Sequence, residues 1–300
     1  MGTRKLSPVF FLFLFPAVFS FVFVIIIPFG LGIYYSFTDW SAMAAGAQVH
    51  WVGLMNYLAI FQDATFLHSF FVTIAYAILN ILVINFVALS LALLLTNKLR
   101  LVGVYRAAFF LPNLIGGIIL GYIWQFIFNN ALVSFGGNFG IGFLEMTLLL
   151  SRNSALIAIV IVTTWQMAGY IMMIYVAALQ NVPAELLEAS YIDGASYLQR
   201  LRHILLPLIA PAFTIALFLT LVRSFQQFDV NFALTAGGPS GMFMGQALLT
   251  TEFLALNIFN TAFGFRELAQ AQAKSVIFFL FLASVALIQV YFNKRKELEM

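Results

Sequence analysis

The chain has 300 residues, of which 63% are hydrophobic and 8% are charged. Because soluble domains carry roughly 25% charged residues, this composition excludes a soluble globular protein and predicts one that lies in a lipid bilayer. The net charge of +3 rests on 14 Lys and Arg residues, which are too few and too scattered for a nucleic-acid-binding surface.

Six apolar runs are long enough to cross a membrane, and they predict an all-α polytopic protein with six transmembrane helices. The predicted spans are residues 6–35, 67–95, 107–128, 154–179, 208–228 and 270–292. The first run is too long for a secretory signal peptide and lacks a small-residue cleavage site, so we interpret it as a retained helix. Residues 38–66 contain no Lys or Arg, which predicts an outer loop, and a short interfacial helix is expected around residues 56–61.

The positions of the basic residues indicate how the spans are oriented. Ten of the 14 fall on one predicted side: Arg4, Lys5, Lys98, Arg100, Arg106, Arg200, Arg202, Lys294, Arg295 and Lys296. Cytoplasmic segments carry an excess of Lys and Arg, so both termini are predicted to be cytoplasmic. Lys274 lies near the outer end of the sixth span, from which it can snorkel to the headgroups. Arg223, inside the fifth span, has no such explanation.

The third span contains residues that permit a bend and close helix packing, namely Pro112, Gly116, Gly117 and Gly121. Proline and glycine are tolerated in membrane helices where neighbouring helices satisfy the backbone. Residues 129–151 are then predicted to be an outer loop. Its glycine-rich run 136–142 has no Lys and opens no βαβ helix, so it predicts a flexible turn rather than a phosphate-binding loop.

A polar stretch that contains a turn follows the fourth span, on the predicted cytoplasmic side. Asn181 and Pro183 predict the start of a short helix. Asp193–Gly194 predicts a turn, and Ser196 with Gln199 predicts a capping box that opens a second short helix. Small residues beside the turn allow another surface to approach the backbone. An ordinary connecting loop with a cytoplasmic charge cluster remains the alternative.

The same stretch resembles a known family. Its residues Glu188-Ala189-Ser190, Asp193-Gly194-Ala195 and Ile204-x-Leu206-Pro207 resemble the EAA motif of permease subunits of binding-protein-dependent ABC importers, with Ser190 for the usual second Ala and Leu201 where Phe is common. Further matches are Leu179-Gln180-x-Val182-Pro183, Phe228-Asp229, Leu234-Thr235-x-Gly237-Gly238-Pro239 and Val52-Gly53-Leu54-x-Asn56-Tyr57. The resemblance covers most of the chain and looks like the carbohydrate branch, similar to the maltose and glycerol-3-phosphate permeases.

This resemblance implies a single permease domain over residues 1–300 in a bacterial-type inner (cytoplasmic) membrane. It also implies a cytoplasmic coupling helix between the fourth and fifth spans, in the motif at 181–207. The residues implied at the ATPase contact are Glu188, Ala189, Ser190, Asp193, Gly194 and Ala195. The implied partners are a second permease subunit, an ABC ATPase dimer, an extracytoplasmic solute-binding protein and membrane lipid, but no nucleic acid. A homodimer of this chain is the alternative to a second permease. No cofactor is expected in this chain, and ATP and Mg²⁺ would bind the partner ATPase.

The motifs of catalytic sites are missing from the sequence. It contains no Walker A loop, no H-E-x-x-H and no G-x-S-x-G pattern. The three histidines, His50, His68 and His203, belong to different segments, so no zinc site is predicted, and the absence of cysteine excludes cysteine-based sites. An intramembrane hydrolase is therefore a weak alternative. An ion-coupled secondary transporter is a second alternative, supported only by Asp229 at a helix end.

Two polar stripes predict a substrate site. Thr163, Gln166 and Tyr170 in the fourth span, and Thr220, Arg223 and Gln227 in the fifth, each recur at i, i+3 and i+7, which places each set on one helix face. Counted from the motif's glutamate, the positions resemble those through which the larger maltose permease holds its sugar, although the residue types differ. Amides, hydroxyls and an aromatic ring suit an oligosaccharide. Arg223 could hold a carboxylate or a phosphate on an acidic saccharide, or it could pair with Asp229 or a neighbouring permease.

Overall fold

The computed structural model describes residues 8–41, 48–97 and 100–294. The first helices are α1 (Pro8–Phe21), α2 (Ile27–Tyr35), α3 (Met55–Ile60), α4 (Ala64–Leu95), α5 (Val102–Phe110), α6 (Gly117–Phe126) and α7 (Leu132–Phe139). They are followed by α8 (Arg152–Gln180), α9 (Ala184–Ile192), α10 (Tyr197–Arg200), α11 (Leu206–Leu208), α12 (Ala210–Phe225), α13 (Asp229–Thr235), α14 (Leu254–Phe259) and α15 (Leu268–Lys294). An antiparallel hairpin of β1 (Ser240–Phe243) and β2 (Gln246–Leu249) follows α13.

The predicted all-α polytopic fold is confirmed. Among the described residues, five helical stretches are long and apolar enough to cross a membrane: Phe10–Tyr35, Ala64–Leu95, Gly117–Phe139, Arg152–Gln180 and Leu268–Asn293. A sixth is the pair Tyr197–Leu208 and Ala210–Phe225, which is bent by 72°. Helices are expected here because a spanning segment must satisfy its own backbone hydrogen bonds in lipid.

The predicted boundaries of the third span are wrong. Helix α5 ends at Phe110, a 3₁₀ turn follows over Leu111–Leu114, and the long apolar helix begins only at Gly117. Pro112 lacks the N–H that would continue α5, so the chain breaks there. A π-helical turn over Ile127–Ala131 then carries the helix into residues that were predicted to be an outer loop.

The glycine-rich run at 136–142 is also partly helical rather than a flexible turn throughout. Gly136 lies inside α7, where a Cβ would come within 2.5 Å of the backbone of Leu144. Glycine at this position therefore allows close packing. The helix ends only at Gly140, which has a φ of 63° and supplies the left-handed conformation common after helices.

The chain forms two compact units. The first comprises Met1–Asp63 and Ile258–Leu280, and the second comprises Ala64–Asn257 and Phe281–Met300. Arg4, Lys5, Lys98, Arg295 and Lys296, on which much of the predicted orientation rests, lie outside the described residues, as does the side chain of Lys294. The cytoplasmic location of the termini therefore stays a prediction.

In the first unit, Lys274 does not snorkel, and that prediction is wrong. Its side chain is only 2% exposed, and its Nζ donates to Asp63 Oδ2 at 2.8 Å and to Thr261 Oγ1 at 2.9 Å. A buried ammonium needs such partners because burial without them is costly. The ion pair links α15 to the residue that immediately precedes α4.

In the second unit, α4 packs between α8 and α12. Small residues such as Ala88, Ala92 and Ala216 are fully or almost fully buried where these helices meet. Small side chains let membrane helices approach closely, which favours packing where lipid removes the hydrophobic driving force between helices. Larger side chains, including Tyr175 and Ile171, complete this core.

We predict that Asp63→Asn lowers stability, because Lys274 would keep a buried charge without its carboxylate. Breaking a buried ion pair from one side costs about 3 kcal/mol or more. The double variant Asp63→Asn/Lys274→Met should recover most of that loss, since it removes both charges. The measurement is the thermal unfolding midpoint of the purified protein in detergent. Equal midpoints for Asp63→Asn and the unmodified protein would contradict the prediction.

Candidate functional site

A polar cavity of about 350 Å³ lies within the second unit, among α4, α8, α12 and the start of α13. Its polar lining residues are Asn80, Asn113, Thr163, Gln166, Thr220, Arg223, Gln226, Gln227 and Asp229. Five of the six residues predicted as substrate-binding are among them. The two helix faces predicted from residue spacing therefore do line one cavity.

Tyr170 is the predicted residue that the structure places elsewhere. It lines a separate, mainly apolar cavity of about 650 Å³, beside Phe110 and Met173. The neighbouring Gly169 lies directly against the backbone of Phe109, so α5 covers α8 at this level. Spacing along α8 predicts which residues share a face, but it does not reveal that the face meets a different neighbour one turn further on.

Asn80 of α4 binds the helices on both sides of it. Its Nδ2 donates to Ser224 Oγ in α12 at 2.9 Å, and its Oδ1 accepts from Thr163 Oγ1 in α8 at 2.8 Å. Tyr76 adds a hydrogen bond from its hydroxyl to Thr163 Oγ1 at 3.2 Å. Asn80 thus closes one wall of the cavity with its amide.

Asn85 repeats this arrangement further along α4. Its Nδ2 donates to Thr220 Oγ1 at 3.0 Å, and its Oδ1 accepts from the Tyr175 hydroxyl at 2.7 Å. Thr220 also donates to the carbonyl of Ala216 at 2.8 Å. We define Asn80 and Asn85 with these partners as the asparagine ladder. Sequence analysis missed it, although an amide inside an apolar run is itself a signal of function or packing.

The lining residues therefore fall into two classes. Thr163 and Thr220 belong to the ladder, and Gln166 donates from Nε2 to the Ile115 carbonyl at 3.0 Å. A second set has no hydrogen bond or ion pair from its side chains to any residue in the described part of the chain: Asn113, Arg223, Gln226, Gln227 and Asp229. The second set is available to a ligand, and three of its members were not predicted as substrate-binding.

Arg223 and Asp229 both line the cavity with exposed side chains. Among the described residues the two form no ion pair with each other. The proposed structural pair between them is therefore not present within this chain. The lining carries one positive and one negative charge, so its formal charges cancel.

The second candidate site is the polar stretch between α8 and α12. Its helix α9 begins after Pro183, which is its N-cap, as predicted. Asn181 is instead the C-cap of α8, so the prediction that Asn181 contributes to the start of the short helix is wrong. The capping box of Ser196 and Gln199 is confirmed. Gly194, between the two short helices, has a φ of 72°, a conformation that favours glycine.

Hydrogen bonds make this stretch a compact hairpin of helices. The backbone N–H of Ala195 donates to the Ser190 carbonyl at 2.9 Å. The Arg200 guanidinium lies 3.9 Å from the centre of the Tyr191 ring and also donates to the Ala195 carbonyl. A cation over an aromatic face adds stabilisation. We call residues 184–200 the helical hairpin.

The helical hairpin exposes most of the residues predicted at the ATPase contact. Glu188, Ala189, Asp193 and Gly194 are exposed, Ala195 is half-buried, and Ser190 is buried with its hydroxyl donating to the Leu187 carbonyl at 2.6 Å. Apart from Gly194 and its two chain neighbours, no heavy atom of the described residues lies within 4 Å of the position that a Cβ on Gly194 would occupy. Ile192 is 87% exposed, so an apolar side chain accompanies the polar ones on this surface.

Comparison with known proteins places these features in a family. Residues 98–298 match the family described as binding-protein-dependent transport system inner membrane component. A probable starch degradation products transport system permease protein from Thermoanaerobacterium thermosulfurigenes is 46% identical over 289 residues, covering 96% of this chain and 95% of the relative. A multiple sugar-binding transport system permease protein from Streptococcus mutans is 30% identical over 266 residues, covering 89% and 88%.

A solved structure shares the fold. It is a bacterial ABC transporter involved in the import of the acidic polysaccharide alginate, with a TM-score of 0.78 and 18% sequence identity. The alignment covers 96% of this chain and 95% of that chain. The similarity extends over nearly the whole length of both proteins.

Close packing of α6 against α13 forms part of the cavity wall and can be tested. A Cβ on Gly121 would lie 2.6 Å from Ala233 Cβ, whereas a Cβ on Gly137 of α7 would meet nothing within 4 Å. We predict that Gly121→Ala destabilises the protein by about 1–3 kcal/mol through overpacking. The matched control Gly137→Ala should be neutral or stabilising by up to about 1 kcal/mol. Thermal unfolding midpoints in detergent measure both, and an unchanged midpoint for Gly121→Ala would contradict the packing.

Proposed function

Because the chain belongs to the family of binding-protein-dependent transport system inner membrane components, we propose that it is a permease subunit of an ATP-driven importer of a carbohydrate. In this proposal it forms half of the translocation pathway. The observation that carries the proposal is a polar cavity among apolar spans, lined by five polar side chains without partners in the described chain. The named sugar-transport functions of two relatives support a carbohydrate as the substrate.

The cavity has the chemistry that a saccharide requires. Its volume of about 350 Å³ falls in the range of small-ligand pockets, roughly 300–1,000 Å³. Amide groups of Asn113, Gln226 and Gln227 can both donate to and accept from sugar hydroxyls. Phe228 also lines the cavity and supplies the apolar ring face that we had expected from Tyr170.

The two charged groups decide how far an acidic saccharide is favoured. Arg223 offers a guanidinium that matches a carboxylate in two hydrogen bonds. Asp229 in the same lining opposes an anion. We infer that the site accepts an oligosaccharide whose hydroxyls meet both groups, and that an acidic sugar is accepted only if its carboxylate reaches Arg223.

Transport requires partners, and the helical hairpin is the proposed contact for one of them. We infer a second permease, an extracytoplasmic solute-binding protein and an ABC ATPase dimer that binds ATP and Mg²⁺. Both termini and the helical hairpin would be cytoplasmic. Glu188, Ala189, Asp193 and Gly194 would face the ATPase, and their exposure supports this. Ser190 and Ala195 would act from beneath, by holding the hairpin closed.

Consecutive short helices connect this contact to the cavity. After α10, the π-helical turn Leu201–Leu205 and α11 lead into α12 across the 72° bend. Helix α12 carries Thr220 and Arg223. A displacement of the helical hairpin by an ATPase would therefore move one wall of the cavity directly. Uptake that an ion gradient drives without any ATPase would contradict this proposal.

Gly194 tests the coupling. Gly194→Val should reduce transport per ATP hydrolysed while the complex still assembles, because a β-branched residue is strained at positive φ by about 1–2 kcal/mol. Gly194→Asn is the matched control, since Asn tolerates this conformation and should retain most coupling. The measurements are uptake and ATPase activity of the assembled complex in liposomes. Normal coupling in Gly194→Val would contradict the assignment.

The cavity is tested by Arg223→Gln and Gln227→Leu. Each should raise the substrate KM or lower uptake by roughly five- to 150-fold, since a hydrogen bond to a charged or buried group contributes about 1–3 kcal/mol and 1.4 kcal/mol is tenfold. Tyr170→Phe is the control outside the cavity and should transport normally. A saccharide panel that includes neutral and acidic oligosaccharides shows whether Arg223 selects a carboxylate. Wild-type transport by both cavity variants would contradict the assignment of this cavity as the substrate site.

A further inference from the structure

Hydrogen bonds join two described stretches that follow the first span, residues 36–41 and 48–61. The backbone N–H of Val52 donates to the Phe37 carbonyl at 2.8 Å, and Thr38 pairs with Trp51 in an isolated bridge. Asn56 Nδ2 donates to the carbonyls of Ser36 and Thr38, both at 2.8 Å. These bonds fix the segment that contains α3 to the end of α2.

Another side of this segment is apolar and is exposed within the described part of the chain. Leu54, Met55, Leu58 and Phe61 are each more than 60% exposed, and their spacing of i, i+1, i+4 and i+7 places them on one helix face. Trp51, 63% exposed, precedes them. Soluble proteins rarely leave a contiguous apolar patch of more than a few hundred Å² in water. We call these five residues the apolar face.

The apolar face continues the surface of the first span. Trp51 stacks on Phe37 with ring centres 5.1 Å apart, and it lies 6.0 Å from Tyr34 in the last turn of α2. The apolar window of Phe10–Tyr35 has no buried residue within the described chain, as expected for a helix that faces lipid. Trp and Tyr concentrate where a span leaves the hydrocarbon.

We propose that the apolar face lies in the lipid headgroup boundary of the leaflet that the Tyr35 end of the first span reaches. Its occupant is therefore the bilayer itself, not a protein. Interfacial helices of this kind bury one apolar face at the boundary between headgroups and acyl chains. The polar residues of the segment are consistent with this placement. The His50 side chain is 68% exposed and binds Asp39, and in the proposed orientation both would face water.

This contact would fix the depth of the first span, which is longer than the hydrocarbon core is thick. Its 26 residues extend about 39 Å at 1.5 Å per residue, whereas the hydrocarbon core is about 30 Å thick. A helix of excess length can tilt or shift along its axis. Because hydrogen bonds hold the apolar face rigidly to α2, its insertion fixes the depth of one end of the span.

The natural absence of cysteine allows a direct depth measurement. Single cysteines replace Leu58, Leu54 and, as the aqueous control, His50, and each carries a nitroxide. The full chain, with its co-purified partner subunits, is placed in nanodiscs of phosphatidylethanolamine and phosphatidylglycerol. Power-saturation EPR compares collisions with oxygen, which concentrates in the bilayer, and with a water-soluble nickel chelate.

The proposal expects the ratio of oxygen to nickel accessibility at positions 58 and 54 to exceed that at position 50 several-fold. A ratio at positions 58 and 54 equal to that at position 50 would mean that the apolar face lies in water and would overturn the proposal. Low accessibility to both reagents would mean that a protein covers the face and would overturn it equally. Using two positions guards against the failure of one variant to fold.

Discussion

The packing of the spans depends on hydrogen bonds between polar side chains that lie inside the apolar helices. The asparagine ladder is the clearest case, because Asn80 and Asn85 of α4 each hold a residue of α8 and a residue of α12. Hydrophobic attraction does not join helices in a bilayer, so hydrogen bonds and close packing of small residues must do so. The ladder therefore joins α4 to both α8 and α12. The cavity forms between the helices that it joins.

The ladder also separates structural polar residues from residues that can bind a ligand. Thr163 and Thr220 have the right type and position for sugar recognition, but their hydroxyls already bind asparagine side chains. A substrate would have to compete with these bonds. Arg223, Gln227 and Asp229 have no such commitment within the described residues. A ligand can therefore bind their polar groups without breaking a hydrogen bond within the described chain.

Local signals in the sequence predicted local structure well. The apolar runs predicted long membrane-spanning helices, and Ser196 with Gln199 predicted the capping box that the structure shows. Asp193–Gly194 predicted a turn, in which Gly194 has a positive φ. The errors arose where residues distant in sequence determine the surroundings of a side chain. Spacing put Tyr170 on the same face as Thr163, but α5 covers that level of α8. Lys274 was predicted to reach the headgroups, but Asp63, which is 211 positions away in sequence, binds it.

The third span shows why close helix contacts are hard to infer from composition. Gly117, Gly121 and Gly136 all occur in one stretch, and glycine indicates flexibility as readily as close approach. A Cβ on Gly117 or Gly121 would collide with α13, and one on Gly136 would collide with the backbone of Leu144. Gly140 is different, because its φ of 63° ends the helix. Only the neighbour across the contact distinguishes these roles.

The position of α13 connects this packing to the cavity. Gly117 lies against Asp229, the first residue of α13, and both line the cavity. A side chain at Gly117 would push the Asp229 carboxylate out of place, so the glycine sets where that charge can lie. Helix α12 sets the position of Arg223 from the other side through Thr220 and Ser224, which bind the ladder. The two charges thus lie on different helices, Arg223 on α12 and Asp229 on α13. A movement of α12 alone would change the distance between them.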